Sequence, residues 1–144
     1  MNTKNIFTLI LVVSSFFATA QEKQKNVKLP EEATTFLAEH FKGIQIQEVK
    51  KINREISFKY EVLLENGFEI DFSDRGRWEQ LESHTMSLPT TMLQTSVSQY
   101  ILKNYSNAKV TEVKKGNRFN FVEINDETML QFDTEGNFYK ILVD

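Results

Sequence analysis

The sequence predicts an α+β protein made by tandem duplication, each copy a helix followed by a four-stranded antiparallel sheet in a two-layer unit. Three observations predict it. Two apolar stripes recur at helical spacing, four runs alternate at period two between turn residues, and both patterns return further along the chain at a nearly fixed offset. Phe72, Gly76 and Trp78 match Phe132, Gly136 and Phe138 at an offset of 60.

The first 20 residues read as an export signal and not as part of the fold. Lys4 gives a positive start, Ile6 to Phe17 is an apolar run too short to span a bilayer, and Ala18-Thr19-Ala20 is a small-x-small cleavage site. Gln21 to Lys28 is polar and reads as a flexible arm. Signal removal leaves a chain expected to work in the periplasm or as a secreted protein, without stable membrane insertion. It also removes one basic residue, Lys4, so 16 Lys and Arg face 20 Asp and Glu and the formal charge moves from -3 to -4. Such a balance argues against a general nucleic-acid binder, which needs a basic face, though it leaves room for a local basic patch. There is no Cys, so neither disulfides nor a lipid-anchoring thiol contributes, and the core must hold the fold. Of 12 phenylalanines three (Phe7, Phe16, Phe17) lie in the signal, and the other nine with Trp78 supply large apolar side chains for that core.

The first copy spans 29–84 and the second 85–144. Leu29-Pro30 and Leu88-Pro89 open them, since proline suits a first helical turn, where its missing N–H has no partner. Ala33, Phe36, Leu37, His40 and Phe41 form one helical stripe ended by Lys42-Gly43. Leu93, Val97, Tyr100, Ile101 and Tyr105 form the other, on a helix about a turn longer that ends at Ser106-Asn107. A strand follows each helix, Ile44 to Ile52 and Ala108 to Lys115. Ile46 and Val49 match Val110 and Val113, and a spacing of three implies a bulge. Lys50, Lys51, Lys114 and Lys115 on these strands suggest protected sheet edges. Arg54 and Arg118 add to that basic group. The offset drops from 64 to 60 after them, so the turn near Asn53 is longer than its counterpart at Gly116.

From Phe58 onward each copy has two hairpins. Tyr60, Val62 and Leu64 alternate with polar neighbours, Asn66-Gly67 signals a tight turn, and Phe68, Ile70 and Phe72 resume the alternation. Ser73 to Gly76 and Asp133 to Gly136 then read as turns with glycine in the left-handed position. The join at His84 to Ser87 is too short for a free linker. The two sheets therefore abut or run on as one sheet of about eight strands.

The tandem Leu-Pro, amphipathic helix, Tyr60 to Gly67, Phe68 to Phe72 and Gly76 to Trp78, with echoes at Val122 to Ile124, Phe132 and Gly136 to Phe138, resemble the PepSY-like, beta-lactamase-inhibitor-like exported proteins of Bacteroides-type bacteria. The second copy departs from the pattern with Asp126-Glu127 in place of Asn66-Gly67. The resemblance implies a beta-lactamase-inhibitor-like α+β architecture of unassigned activity.

No phosphate loop, nucleophile elbow or metal-ligand motif occurs, and His40 and His84 are the only histidines. No cofactor and no dedicated metal site is expected, and carboxylates without positioned partners do not make an enzyme. Information lies instead in the sheet faces. With Tyr60, Val62, Leu64, Phe68, Ile70, Phe72 and Trp78 turned to the helix, Glu61, Leu63, Glu65, Glu69, Asp71 and Glu79 face away. That half is acidic and offers hard oxygen ligands to a cation such as Ca²⁺, or else is a solvated face. The same register turns Phe121, Glu123, Met129, Gln131, Tyr139 and Ile141 outward in the second copy, an apolar and aromatic patch. Such a patch suits recognition or is covered by the other copy or a twin chain in a homodimer. The expected function is binding of an envelope or secreted protein or peptide; the resemblance, and not the residues, implies inhibition of an envelope or secreted hydrolase as one form of it. Phe121, Met129, Tyr139 and Ile141 would serve as anchors, and Glu69, Asp71 and Glu79 as charge selectors. A small-ligand or cation sensor using the acidic half is the alternative.

Overall fold

The computed structural model describes residues 27–142; the expected signal and most of the expected arm lie outside them. α1 spans Glu31–His40 and is followed by β1 (Ile46–Asn53), β2 (Phe58–Leu64), β3 (Phe68–Ser73) and β4 (Trp78–Ser83). A 3₁₀ turn at Thr90–Met92 leads to α2 (Thr95–Asn104), and β5 (Val110–Lys115), β6 (Phe119–Ile124), β7 (Thr128–Asp133) and β8 (Phe138–Leu142) complete the chain. All eight strands join in one antiparallel sheet in sequence order. A meander of this kind needs only short connections, which is what the turn residues supply.

Both helices pack on the same side of the sheet. Phe36 of α1 meets Phe72 edge to face at 5.6 Å, and Tyr100 of α2 meets Phe132 in the same way at 5.5 Å. Beneath them runs a cross-strand row, Val49, Val62, Ile70, Leu81, Val113, Val122 and Leu130. Phe72 and Phe132 are fully buried, each contributing about 2–3 kcal/mol by its removal from water.

The glycine turns lock each helix start to the sheet. Gly76 has φ of 88°, and a Cβ there would stand 2.8 Å from the Ala33 amide nitrogen and 2.9 Å from the Pro30 Cβ. Gly136, with φ of 86°, faces the start of α2, where Gln94 Nε2 donates to the Thr134 carbonyl at 3.0 Å.

The structure departs from several expectations. Leu88-Pro89 opens the 3₁₀ turn and not α2, which begins at Thr95; both α-helices are ten residues long. Thr90 to Leu93 tighten into i→i+3 bonding, so Leu93 precedes the helix whose stripe it was expected to join. Asn66-Gly67 does not form a turn with two positive φ values. Only Gly67 takes one, closing on the Leu64 carbonyl at 2.9 Å, as in a three-residue loop. The hairpin that departs from the Asn-Gly pattern has instead Asn125 and Asp126 at 58° and 57°, the geometry of a primed turn. β5 is not an edge but an interior strand between β4 and β6; β1 and β8 are the edges. The expected bulges do occur, at Ile46/Glu48 and at Val110/Glu112.

Candidate functional site

Because both helices cover one face, the other face of the sheet is left without a covering element among the described residues. Its lattice is set by register. One row crosses the strands as Lys50, Glu61, Asp71, Gln80, Lys114, Phe121, Gln131 and Lys140, each opposite the next. The neighbouring row reads Glu48, Leu63, Glu69, Glu82, Glu112, Glu123, Met129 and Leu142. Four glutamates therefore stand directly opposite one another on β3, β4, β5 and β6, over about 15 Å at the usual strand spacing.

Phe121 and Met129 lie on this face, partly buried, and Tyr139 is 60% exposed with its ring 5.0 Å from that of Phe119. Glu69 and Asp71 lie on it too. Glu79 sits at the rim, its carboxylate accepting a 2.7 Å hydrogen bond from the Arg54 guanidinium. Phe121, Met129 and Tyr139 thus share one surface with Glu69 and Asp71, the two acids on β3 and the apolar side chains over β6 to β8.

Ile141 does not join them. It stands opposite Leu130, in the row that faces the helices. The reason is a bulge: Phe132 pairs with Phe138 and Gln131 with Lys140, so Tyr139 is an extra residue and the alternation reverses beyond it. The same shift opposite Asp71 and Phe72 of β3 leaves Glu79 as the extra residue in β4 and turns Leu81 inward and Gln80 and Glu82 outward. Strict alternation through these strands therefore missed Glu82, and it never set Glu112 in line with its neighbours. The Gly turn before each bulge was the available signal.

Electrostatics divide the acidic half in two. Lys59 Nζ hydrogen-bonds Asp71 and lies 3.5 Å from Glu61, while Lys50 bridges Glu48 at 3.2 Å and Glu61 at 3.5 Å. Burial works against the Lys59 ammonium, but Asp71 and Glu61 outweigh it and hold its pKa above the ordinary value. Glu61, Glu69 and Asp71 bring ligand oxygens within 4.8 Å of one another, and the second carboxylate oxygen of Asp71 is buried without a hydrogen-bond partner. In the glutamate row, burial raises the Glu69 pKa and Glu61, Glu82 and Asp71 add to the shift. The positions offset by 60 are Phe119, Phe121, Met129, Gln131 and Tyr139, where Lys59, Glu61, Glu69, Asp71 and Glu79 stand in the first half. One lattice thus carries two chemistries.

His40 is exposed and rests 4.7 Å from the Phe36 ring. His84 lies 2.9 Å from Glu82 beside the row. A cleft of about 570 Å³, lined by Phe36, Arg77, Trp78, Lys115 and Asn117 among others, lies on the helix side of the sheet end, where the Lys115 ammonium covers the Trp78 ring at 3.6 Å.

An eight-stranded meander with two helices on one face and a charged, uncovered second face is the class that these features define. The chain belongs to the family described as "Putative beta-lactamase-inhibitor-like, PepSY-like", which matches over residues 20–73 and again over 58–140. Among solved structures it is similar to a Bacteroides thetaiotaomicron protein described as a "putative calcium-regulated periplasmic protein". The identity is 26% and the TM-score 0.76, covering 81% of this chain and 91% of the other. Two Bacteroides vulgatus periplasmic proteins share the fold. One is 24% identical with a TM-score of 0.76, covering 81% of this chain and 93% of its own. The other is 21% identical with a TM-score of 0.75, covering 85% and 99%. No curated protein matches. These relatives are described as periplasmic, in agreement with the exported placement read from the sequence, and no helix among the described residues is long and apolar enough to cross a membrane.

Proposed function

We propose that the protein is a non-enzymatic periplasmic binding module whose open sheet face receives a protein or peptide partner. The observation that carries this reading is the uncovered face itself, acidic from β2 through the glutamate row on β6 and aromatic and apolar over β6 to β8. Apolar side chains of the second half supply contact area, and carboxylates of the first select a basic partner and speed its approach. Phe121, Met129 and Tyr139 are the anchors, with Glu69, Asp71 and Glu79 as charge selectors. Inhibition of an envelope or secreted hydrolase is one form this takes, and the family description supports it. We also read the two halves as copies of one unit, supported by the residues offset by 60 and by the two overlapping family matches.

Immobilised protein exposed to an envelope extract tests the reading. Retention of a defined partner should be lost in Phe121→Ala with Tyr139→Ala, and weakened by salt, while the double variant stays folded. No retained partner, or retention indifferent to both substitutions, argues against it.

A second reading is favoured by the Glu61, Glu69 and Asp71 cluster, by the partnerless buried oxygen of Asp71, and by the description of one relative as calcium-regulated. On this reading a divalent cation competes with Lys59 for these carboxylates and resets the charge of the face. Calorimetry with Ca²⁺ should then give heat that disappears in Glu69→Gln with Asp71→Asn; no heat from the unaltered protein removes this reading.

A further inference from the structure

The two halves meet through β4 and β5, and only three residue pairs close that ladder: Gln80 with Lys114, Leu81 with Val113, and Glu82 with Glu112. Every other ladder in the sheet has at least four. One of the three pairs at the join sets carboxylate against carboxylate, and like charges directly opposite on neighbouring strands weaken a sheet.

Glu112 bears this opposition from both sides. Glu82 faces it from β4 and Glu123 from β6. The other charged groups near it are Lys114 on its own strand and His84 just beyond β4; both helices lie on the opposite face. No ion pair to Glu112 forms among the described residues. His84 Nε2 is taken up by Glu82 at 2.9 Å, and the Glu123 carboxylate accepts a hydrogen bond from Thr111 Oγ1 at 2.9 Å, so both flanking carboxylates are held in place beside it. The side chain is also partly buried, which strengthens each of these interactions over its value in open water.

We infer that the join between the halves is strengthened by acid: a proton taken up at Glu112 removes the opposition across β4, β5 and β6, and the halves hold together more firmly in mildly acidic than in neutral surroundings. This does not rest on the binding reading above. The direction of the Glu112 pKa agrees. Burial raises it, Glu82 and Glu123 raise it further, and Lys114 and His84 pull the other way. A carboxyl whose folded pKa stands above its unfolded value costs stability wherever both forms are ionised. That cost is relieved as pH falls through the folded pKa, and it is gone below the unfolded one. The join therefore behaves oppositely to a salt-bridged carboxylate, which loses stability in acid.

The experiment compares thermal unfolding of the unaltered chain and Glu112→Gln between about pH 5 and pH 8 at fixed ionic strength. At neutral pH the variant should melt higher by about 2–4 °C, with the gap closing toward pH 5. Glu123→Gln, which removes the opposing charge from the other strand, should reproduce the pattern and serves if Glu112→Gln fails to fold. Amide exchange at Leu81 and Val113, measured for both proteins at one neutral pH, places the effect: it should slow in the variant. A variant that melts no higher at neutral pH, a gap that persists into acid, or a gain without slower exchange at Leu81 and Val113 overturns the inference.

Discussion

At Gly76 two constraints coincide, a left-handed backbone and a helix start less than 3 Å from where a Cβ would sit. Gly76→Ala should therefore cost about 1–3 kcal/mol, combining the strain of positive φ with displacement of α1, as read by urea unfolding. Asp133 holds the corresponding turn of the second half together. Its carboxylate accepts from the Asn137 side chain at 2.9 Å, from the Asn137 amide at 2.8 Å and from the Glu135 amide at 3.0 Å. The Asn137 hydrogen bonds, chiefly that of its side chain, push the Asp133 pKa below its ordinary 3.8. A depressed carboxyl contributes stability above the unfolded pKa and loses it as pH falls through the folded one. Asp133→Ala should thus lower the melting temperature at neutral pH, and the difference should shrink as pH falls below the ordinary carboxyl value. Both turns were legible in the sequence, because glycine and aspartate act on their own backbone and need no distant neighbour. Ile141 was not, because its facing depends on one extra residue, Tyr139, accommodated against β7.

Among the elements, the alternating strands and the helical stripes emerged as expected wherever one side chain in two, or one face in three or four residues, met the core. Phe72 and Phe132 are the clearest cases, fully buried under Phe36 and Tyr100. Replacing either with Ala should cost about 3–5 kcal/mol, the usual loss for emptying a core aromatic site, and the two should cost similar amounts in denaturant titrations. The start of α2 was misplaced because a proline permits a 3₁₀ turn as readily as an α-helix, and the choice rests on which carbonyl each amide reaches. Lys114 and Lys115 suggested an edge, yet β5 lies inside the sheet. Charge at a strand end protects an edge in one setting and reaches solvent beside a turn in another, and only the neighbouring strand distinguishes them.

For the molecule as a whole, one sheet shared by both halves predicts one cooperative transition. Trp78, the single tryptophan, reports on the first half, whereas far-UV circular dichroism reports on both. The two thermal curves should coincide, and a fluorescence change that precedes the loss of secondary structure would mean that the halves unfold separately. The acidic and apolar halves of the open face were foreseen from their alternation. Their meeting in a row of four glutamates was not, since Glu69, Glu82, Glu112 and Glu123 come from four strands spread over 55 residues.

By itself the sequence determined the strands, the two helices, the glycine turns at Gly76 and Gly136 and the large apolar side chains of the core, because each follows from periodicity and backbone preference over a few residues. The tertiary structure alone decided which strands lie at the rim, which side chains a bulge reverses, and which carboxylates confront one another. Those are properties of cross-strand register, and register is fixed by contacts between segments distant in the chain, where a slip of one residue changes every partner.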